Sequence, residues 1–444
     1  MIGHEVRAAA LRSVSVVGGR TRRLALGASL ALLLAAPSAA GAATSPEIRD
    51  YRDSRVHEAL GLQYELGSDV PFRDAPWVGT HNSFNSVAEM GPTLSAQDSN
   101  QKLRLRDQLR IDVRSLELDL HWFLSVEGGG FAPVVCHATE QHAGCTAEKP
   151  LTPVLEDIGD WLRRPANDDQ VLLLYLEDHL DNEEGYDTAA GIVRDELGGL
   201  IYDPPASGCA QLPLGLTRED VRAADDQVVI VGNCGIGSEW PGVTFDWSSS
   251  HEEERPRDYA DFPDCGPNFT RSDYESTLIR YFEDSTQLTG TAGDPDDGIT
   301  PPTAAAMARC GVDLLGLDQL EPDDGRLKKL VWSWAPDQPK SGRGACAIQR
   351  LSDKRPFGRW YARECDESRP VACRRGDRWL VPAKEVAQEE AAALCERRDA
   401  EHAVPRTGFE AQLLRLAMEK DGVHKAWLGY GRADGRWVAQ DERA

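Results

Sequence analysis

Short apolar runs rich in β-branched residues recur between Asp74 and Pro322, separated by polar loops and stretches of helical character. The clearest are Ala75–Gly79, Val113–Leu120, Pro133–Cys136, Val171–Leu176, Gln227–Gly232 and Val312–Leu317. Runs this short and this apolar read as strands buried on both faces. Interleaved with helix-like stretches such as Leu151–Arg164 and Thr188–Leu197, they predict parallel βαβ units. Six or more such units over this length predict an α/β fold of the TIM type, a (β/α) barrel. An open doubly wound sheet is the competing arrangement, but no GxGxxG or Walker-type loop follows any of the strands.

The two ends of the chain depart from this pattern. Arg7, Arg12, Arg20, Arg22 and Arg23 precede an apolar run from Leu24 to Ala36, and Ala40-Gly41-Ala42 follows as a small-residue cleavage site. This predicts a signal peptide over residues 1–42, because the run is shorter than the about 20 residues of a membrane span. After Glu321-Pro322-Asp323-Asp324-Gly325, tryptophan and cysteine become dense. The expected organisation is therefore a barrel over residues 43–325 and a small disulfide-stapled domain over 326–444.

Charge narrows the partners. The net charge is -24, and loss of the leader removes five Arg and one Glu, leaving 44 basic against 72 acidic residues and a net -28. Such a chain repels nucleic acid and anionic bilayers, so a lipid substrate has to be met through a local patch or a cation bridge. All 10 cysteines follow the leader, without CxxC spacing. An even number in an exported chain predicts disulfides, and a secreted, extracellular or periplasmic location.

Four runs end in polar residues that a purely structural barrel does not need. Thr80-His81-Asn82-Ser83 follows the first; Glu117 and Asp119 sit inside the second; His137 follows the third; Glu177 follows the fourth. Side chains two apart on a strand share a face, so Glu117 and Asp119 point one way and Leu116, Leu118 and Leu120 the other. Buried together, two carboxylates repel unless a cation or a proton lies between them. Asn82, Glu117, Asp119 and Glu177 form an all-oxygen set suited to a hard cation, with Ca2+ preferred and Mg2+ compatible with the same residue types. His81 and His137 would supply a donor to a phosphoryl oxygen and an acid for a leaving alkoxide. Taken singly, His81 reads as a turn histidine and Glu177-Asp178 as the start of a loop; together they favour a site. His121, His142 and His179 read as structural or surface residues, and Asp294-Pro295-Asp296-Asp297-Gly298 as a solvated turn without the distant Glu of a calcium loop.

Thr80-His81-Asn82-Ser83-Phe84, Arg114 to Asp119, Pro133-Val134-Val135-Cys136-His137 and Val171 to His179 together resemble the motif series of calcium-dependent phosphoinositide-specific phospholipase C. The resemblance covers roughly residues 74–322. It implies calcium on Asn82, Glu117, Asp119 and Glu177, His81 stabilising the pentavalent phosphate, and His137 protonating the departing alcohol. It also implies attack by the substrate's own inositol hydroxyl, with Glu117 the candidate base, and a cyclic phosphodiester product. The glycerophosphodiester phosphodiesterases share the Glu-x-Asp strand and the following histidine, but their first motif pairs His with Arg where this chain has Asn82. The lysine pair and arginine that hold further inositol phosphates have no counterpart here. Asn233, Asp318 and Gln319 end later strands and are candidates for a headgroup pocket.

From Trp332-Ser333-Trp334 to Cys373 the chain is similar to the second half of a C-type lectin-like domain, and from Trp379 to Trp437 to the first half. Either the domain is permuted or the chain stops within a second copy. Under permutation, the resemblance implies Cys346 paired with Cys365 and Cys373 with Cys395. Gln338-Pro339-Lys340 and Trp360-Tyr361-Ala362 stand where sugar-binding members place calcium ligands, and Lys340 and Ala362 offer no side-chain oxygen. The expected activity is that of a secreted phosphodiesterase acting on a phospholipid or glycerophosphoinositol. Peripheral membrane contact and a cell-surface partner for the C-terminal module are further expectations, and nucleic acid is not an expected partner. A glycerophosphodiesterase, or an idle barrel acting as an adhesion protein, are the alternatives.

Overall fold

Every apolar run singled out above forms a strand, but one of them runs against the others. A computed structural model describes residues 44–90, 99–125, 129–145, 149–205, 209–247, 251–253, 259–266, 280–284, 298–312, 314–340, 342–352 and 355–440. The expected leader and the Asp294–Asp297 run lie outside the described residues. The first ten strands are β1 (Trp77–Thr80), β2 (Ser115–Ser125), β3 (Gly130–Val135), β4 (Lys149–Pro150), β5 (Leu172–His179), β6 (Val228–Gly232), β7 (Phe245–Asp246), β8 (His251–Glu253), β9 (Arg280–Glu283) and β10 (Leu314–Leu317).

Eight of these pair in the order β7-β6-β5-β2-β1-β10-β9-β8, and every neighbouring pair is parallel. Chain order is followed around the path, and the last strand pairs with the first. That is the connectivity of a barrel; a doubly wound sheet reverses its strand order partway. Among the described residues, no ladder joins β7 to β8. β5 and β6 are apolar along most of their length because they are covered on both faces, and all five residues of β6 are buried. The crossovers include helices α1 (Leu151–Leu162), α2 (Glu183–Leu197) and α3 (Pro301–Cys310). Their starts are chemically marked: the Asn182 side chain accepts from Gly185 N before α2, and Thr300 accepts from Thr303 N before the two prolines that open α3.

β3 corrects the expectation of uniformly parallel units. It lies antiparallel against β2, Leu120 opposite Val135, and leaves the barrel path for β4. Four residues separate β2 from β3, and a parallel return needs a dozen or more. His137 is thus delivered by a hairpin beside the barrel.

The C-terminal segment forms a four-stranded antiparallel sheet in the order β12 (Arg355–Arg363), β11 (Cys346–Ser352), β16 (Lys425–Ala433), β17 (Arg436–Ala439). A three-stranded sheet, β14 (Arg378–Leu380), β13 (Cys373–Arg375), β15 (Glu401–His402), lies beside it in sequence. The two segments compared above with lectin-like halves close on each other through the β11–β16 ladder. All ten cysteines are paired: 136–145, 209–234, 265–310, 346–365 and 373–395. The last two are the pairs that the permuted arrangement implies. Gln63 ties this segment to the barrel: its Oε1 accepts from Trp332 N, Ser333 N and Ser333 Oγ at 2.9, 3.1 and 2.8 Å. No described helix is long and apolar enough to cross a membrane.

Candidate active site

The turn after β1 is fixed before any ligand arrives. Gln108 Nε2 donates to Ser83 O at 2.8 Å, and Thr80 Oγ1 bonds both Gln108 Oε1 and Ser83 Oγ at 2.7 Å. Gln101 Nε2 donates to the carbonyls of His81 and Leu317 at 2.6 and 2.8 Å. Asn82 adopts the left-handed conformation, φ 45°, which asparagine tolerates better than most residues. These bonds hold His81 and Asn82 at the C-terminal end of β1, where a barrel builds its site.

β2 and β5 bring the acids together. Asp119 is the register partner of Glu177 on the neighbouring parallel strand, and Glu117 lies two residues earlier on the same face as Asp119. One carboxylate oxygen from each of Glu117, Asp119 and Glu177 lies within 4.8 Å of the others. Glu117 Oε2 also accepts from Asn82 N at 3.3 Å and from the Tyr281 hydroxyl at 3.2 Å. Tyr281 reaches it past Gly316, where a Cβ would sit 2.6 Å from the phenol oxygen. Burial pushes the Glu117 carboxyl up to about 8; His81 pulls it down, and Glu283 and Glu177 push it further up. Burial, then Glu117 and Glu177, hold Asp119 well above the ordinary carboxylate range.

His81 is held from both ends. Its Nδ1 donates to Asp318 Oδ1 at 3.1 Å, and its Nε2 pairs with the Glu283 carboxylate. Burial alone would lower its pKa, but Asp318 and Glu283 outweigh it and keep the ring an imidazolium well above the usual histidine range. Asp318 is fully buried, and burial raises it to about 7 against the opposing pull of His81. Arg326 supports it from behind, donating to Asp318 O at 2.6 Å and Asp284 Oδ2 at 2.5 Å.

The Asn82 amide lies between His81 and Asp119. One end is 2.8 Å from His81 Nε2, and the other is 2.7 and 2.8 Å from the two Asp119 oxygens. With its NH2 toward Asp119, each of these contacts is a hydrogen bond; the opposite orientation sets Oδ1 beside the carboxylate, as a shared cation requires.

His137 joins the same centre through amides. Asn85 Nδ2 is 3.2 Å from His137 Nδ1 and donates to Asn100 Oδ1 at 2.7 Å; Asn100 Nδ2 donates to Asp318 Oδ1 at 3.3 Å. A polar chain thus links the two histidines. The structure therefore brings together His81, Asn82, Glu117, Asp119 and Glu177, and links His137 to them through Asn85 and Asn100. It adds Glu283, Asp284, Asn85, Asn100, Tyr281 and Arg326, none of which lies in a recognisable pattern. Of the later strand ends, Asp318 bonds His81, and Asn233 donates to Asp178 at 2.8 Å.

Four carboxylates, Glu117, Asp119, Glu177 and Glu283, lie close enough to act on one another's charge. Arg326, the nearby guanidinium named above, is engaged by Asp324 and Asp284. The donor set is all oxygen, and its buried acids stay ionised only at a cost, so the residues fit a divalent hard cation. Among the described residues, two other groups with metal-like spacing, His121-Cys136-Cys145 and Cys209-Cys234-Asp246, have their thiols committed to disulfides.

Residues 37–324 match the family described as the Rv2075c PI-PLC-like domain. A protein of Mycobacterium tuberculosis strain H37Rv, Rv2075c, is 41% identical over 402 residues, covering 86% of this chain and 80% of its own length. An alignment of that length extends beyond the barrel into the C-terminal segment. Among solved structures, the phosphatidylinositol-specific phospholipase C of Listeria monocytogenes is 16% identical with a TM-score of 0.43, covering 62% of this chain and 97% of that one. A calcium-dependent phosphoinositol-specific phospholipase C from a Pseudomonas species is 14% identical with a TM-score of 0.34, covering 59% and 97%.

Proposed function

This chain belongs to the Rv2075c PI-PLC-like family, and from that premise we propose that it is a calcium-dependent phosphodiesterase cleaving phosphatidylinositol-type phosphodiesters through a cyclic inositol phosphate. The observation that carries this reading is the convergence of Glu117, Asp119 and Glu177 within 4.8 Å, beside an imidazolium. Asn82, Glu117, Asp119 and Glu177 would hold the ion. When bound, calcium supplies positive charge against the phosphate and acidifies the attacking hydroxyl.

The chain's own groups account for the remaining steps. His81, charged and oriented by Asp318, donates to a nonbridging oxygen as negative charge develops there. Glu117, ionised once the cation takes the place of its proton, accepts the proton of the inositol hydroxyl. His137 donates a proton to the departing glycerol oxygen, with Asn85 Nδ2 against the Nδ1 side of its ring. The cyclic product is the expected result because the nucleophile belongs to the substrate.

The leader-like N-terminus and the five disulfides support secretion. For the C-terminal segment, a lectin-like docking module is the supported reading. Gln338 is buried and its Oε1 accepts from Ala362 N at 3.1 Å, so it is committed to the fold and unavailable to a calcium ion at the surface.

Phosphorus NMR of phosphatidylinositol turnover, with and without a calcium chelator, tests the function. A cyclic phosphodiester that disappears on chelation is expected. Release of glycerol phosphate without a cyclic product would assign the chain to glycerophosphodiester chemistry. No turnover of either substrate would leave an adhesive role for the barrel.

A further inference from the structure

Three histidines outside the reaction centre are not independent of it. Strand alternation places His121 two residues beyond Asp119 and His179 two beyond Glu177, and the β2–β5 register pairs them. Their rings stack with centroids 4.6 Å apart and 27° between planes. His179 Nε2 donates to Glu177 Oε1 at 2.9 Å. On the other side, His142 Nδ1 lies 2.8 Å from His121 Nδ1, and His142 Nε2 donates to Asp181 Oδ2 at 2.8 Å. His142 belongs to the loop that starts with His137 and is closed by the Cys136–Cys145 disulfide.

A continuous series of contacts therefore runs from Asp181 through His142, His121 and His179 to Glu177. It passes through His142 on the loop that carries the candidate acid and ends on a candidate metal ligand. We propose that this histidine cluster is a positioning device that holds Glu177 in its ligating orientation and fixes the His137 loop against the metal site. The inference rests on the metal reading of the previous section.

Glu177 is the ligand that most needs such help. Its side chain is 40% exposed, whereas Glu117 and Asp119 are buried among their neighbours. A half-exposed glutamate gives up rotamer freedom when it ligates, and that cost falls if it is already held. An imidazole N–H on one oxygen leaves the other free and sets its direction. Groups that orient a ligand in this way typically contribute roughly ten- to hundredfold in metal affinity.

Packing and positioning predict opposite results for two substitutions. His179→Phe keeps a ring to stack on His121 and removes the donor; His179→Gln keeps an N–H donor and removes the ring. Calcium affinity of the full chain, measured by titration calorimetry, should fall roughly ten- to hundredfold in His179→Phe and recover most of that in His179→Gln. In the Glu177→Gln background, His179→Phe should add no further loss, since it acts through Glu177. His142→Ala should weaken calcium binding in the same direction and lower kcat. Thermal melts in chelator establish that each variant is folded, and the two His179 variants bracket the effect if one is weakened. Wild-type affinity in His179→Phe, with Glu177→Gln impaired, would overturn this inference alone. A wild-type chain that takes up no calcium would overturn the metal reading as well.

Discussion

His81 Nδ1 lies 3.1 Å from the Oδ1 of Asp318, a residue 237 positions later in the chain. The β1–β10 ladder makes this possible by setting Thr80 against Leu317, so that the residues following both strands share one rim. Asp318 fixes the proton on Nδ1 and favours the charged ring. Asp318→Asn keeps the shape and removes that charge. The expected loss in kcat is on the order of 10²- to 10⁴-fold, with a smaller change in KM. Steady-state kinetics on phosphatidylinositol decide it; unchanged turnover would show that His81 needs no such partner.

The metal-free chain should lose stability as pH rises. Glu117 has its folded pKa raised to about 8 from an ordinary 4.5, so its contribution is fully present below about 4.5 and is lost as pH climbs through 8. Asp119 shifts in the same direction. In chelator, Tm should therefore fall between pH 5 and 9 by this linkage, and calcium should largely abolish the fall because it takes the place of the proton. Calcium affinity should tighten over the same interval. Scanning calorimetry with and without the ion is the measurement, and parallel Tm profiles would count against a shared site.

Much of this site was legible because carboxylates two apart between leucines have few structural uses in a buried strand. The same alternation extends to His121 and His179, so their place beside Asp119 and Glu177 is legible in the sequence once the two strands are paired. Glu283 and Asp284 were not legible, since β9 spans four residues and its apolar content is Tyr281-Phe282 alone. β7 and β8, with two and three residues, are too short to show a period. The direction of β3 is not legible in the sequence, because periodicity specifies a strand and not its sense. Asn85 and Asn100 act through tertiary contacts 52 and 218 residues away, which no local pattern encodes.

Gln63 is expected to carry much of the attachment between barrel and C-terminal sheets. It is buried, satisfies two backbone amides and a hydroxyl, and donates to Leu330 O at 3.2 Å. Gln63→Leu fills a similar space but leaves those groups unpaired, at about 1–3 kcal/mol for each group that water cannot reach. A total loss of roughly 2–5 kcal/mol should appear in urea melts, with the metal site unaffected at low denaturant. A loss within 0.5 kcal/mol, the usual range of a surface change, would show that water reaches the junction.

The two imidazoles can be separated by the leaving group. His137 as acid matters in proportion to how poorly the departing oxygen carries negative charge, whereas His81 stabilises charge on an oxygen that never leaves. On phosphatidylinositol, His81→Ala and His137→Ala should each lower kcat by on the order of 10²- to 10⁴-fold. Replacing the diacylglycerol with nitrophenol gives a leaving group that departs without a proton. His137→Ala should then regain most of its activity, and His81→Ala should not. Rescue of both variants, or of His81→Ala alone, would exchange or dissolve the roles assigned here. Because Asn85 lies against the His137 ring at Nδ1, Asn85→Ala should follow His137→Ala in this comparison, more weakly, and the same nitrophenyl substrate reads it.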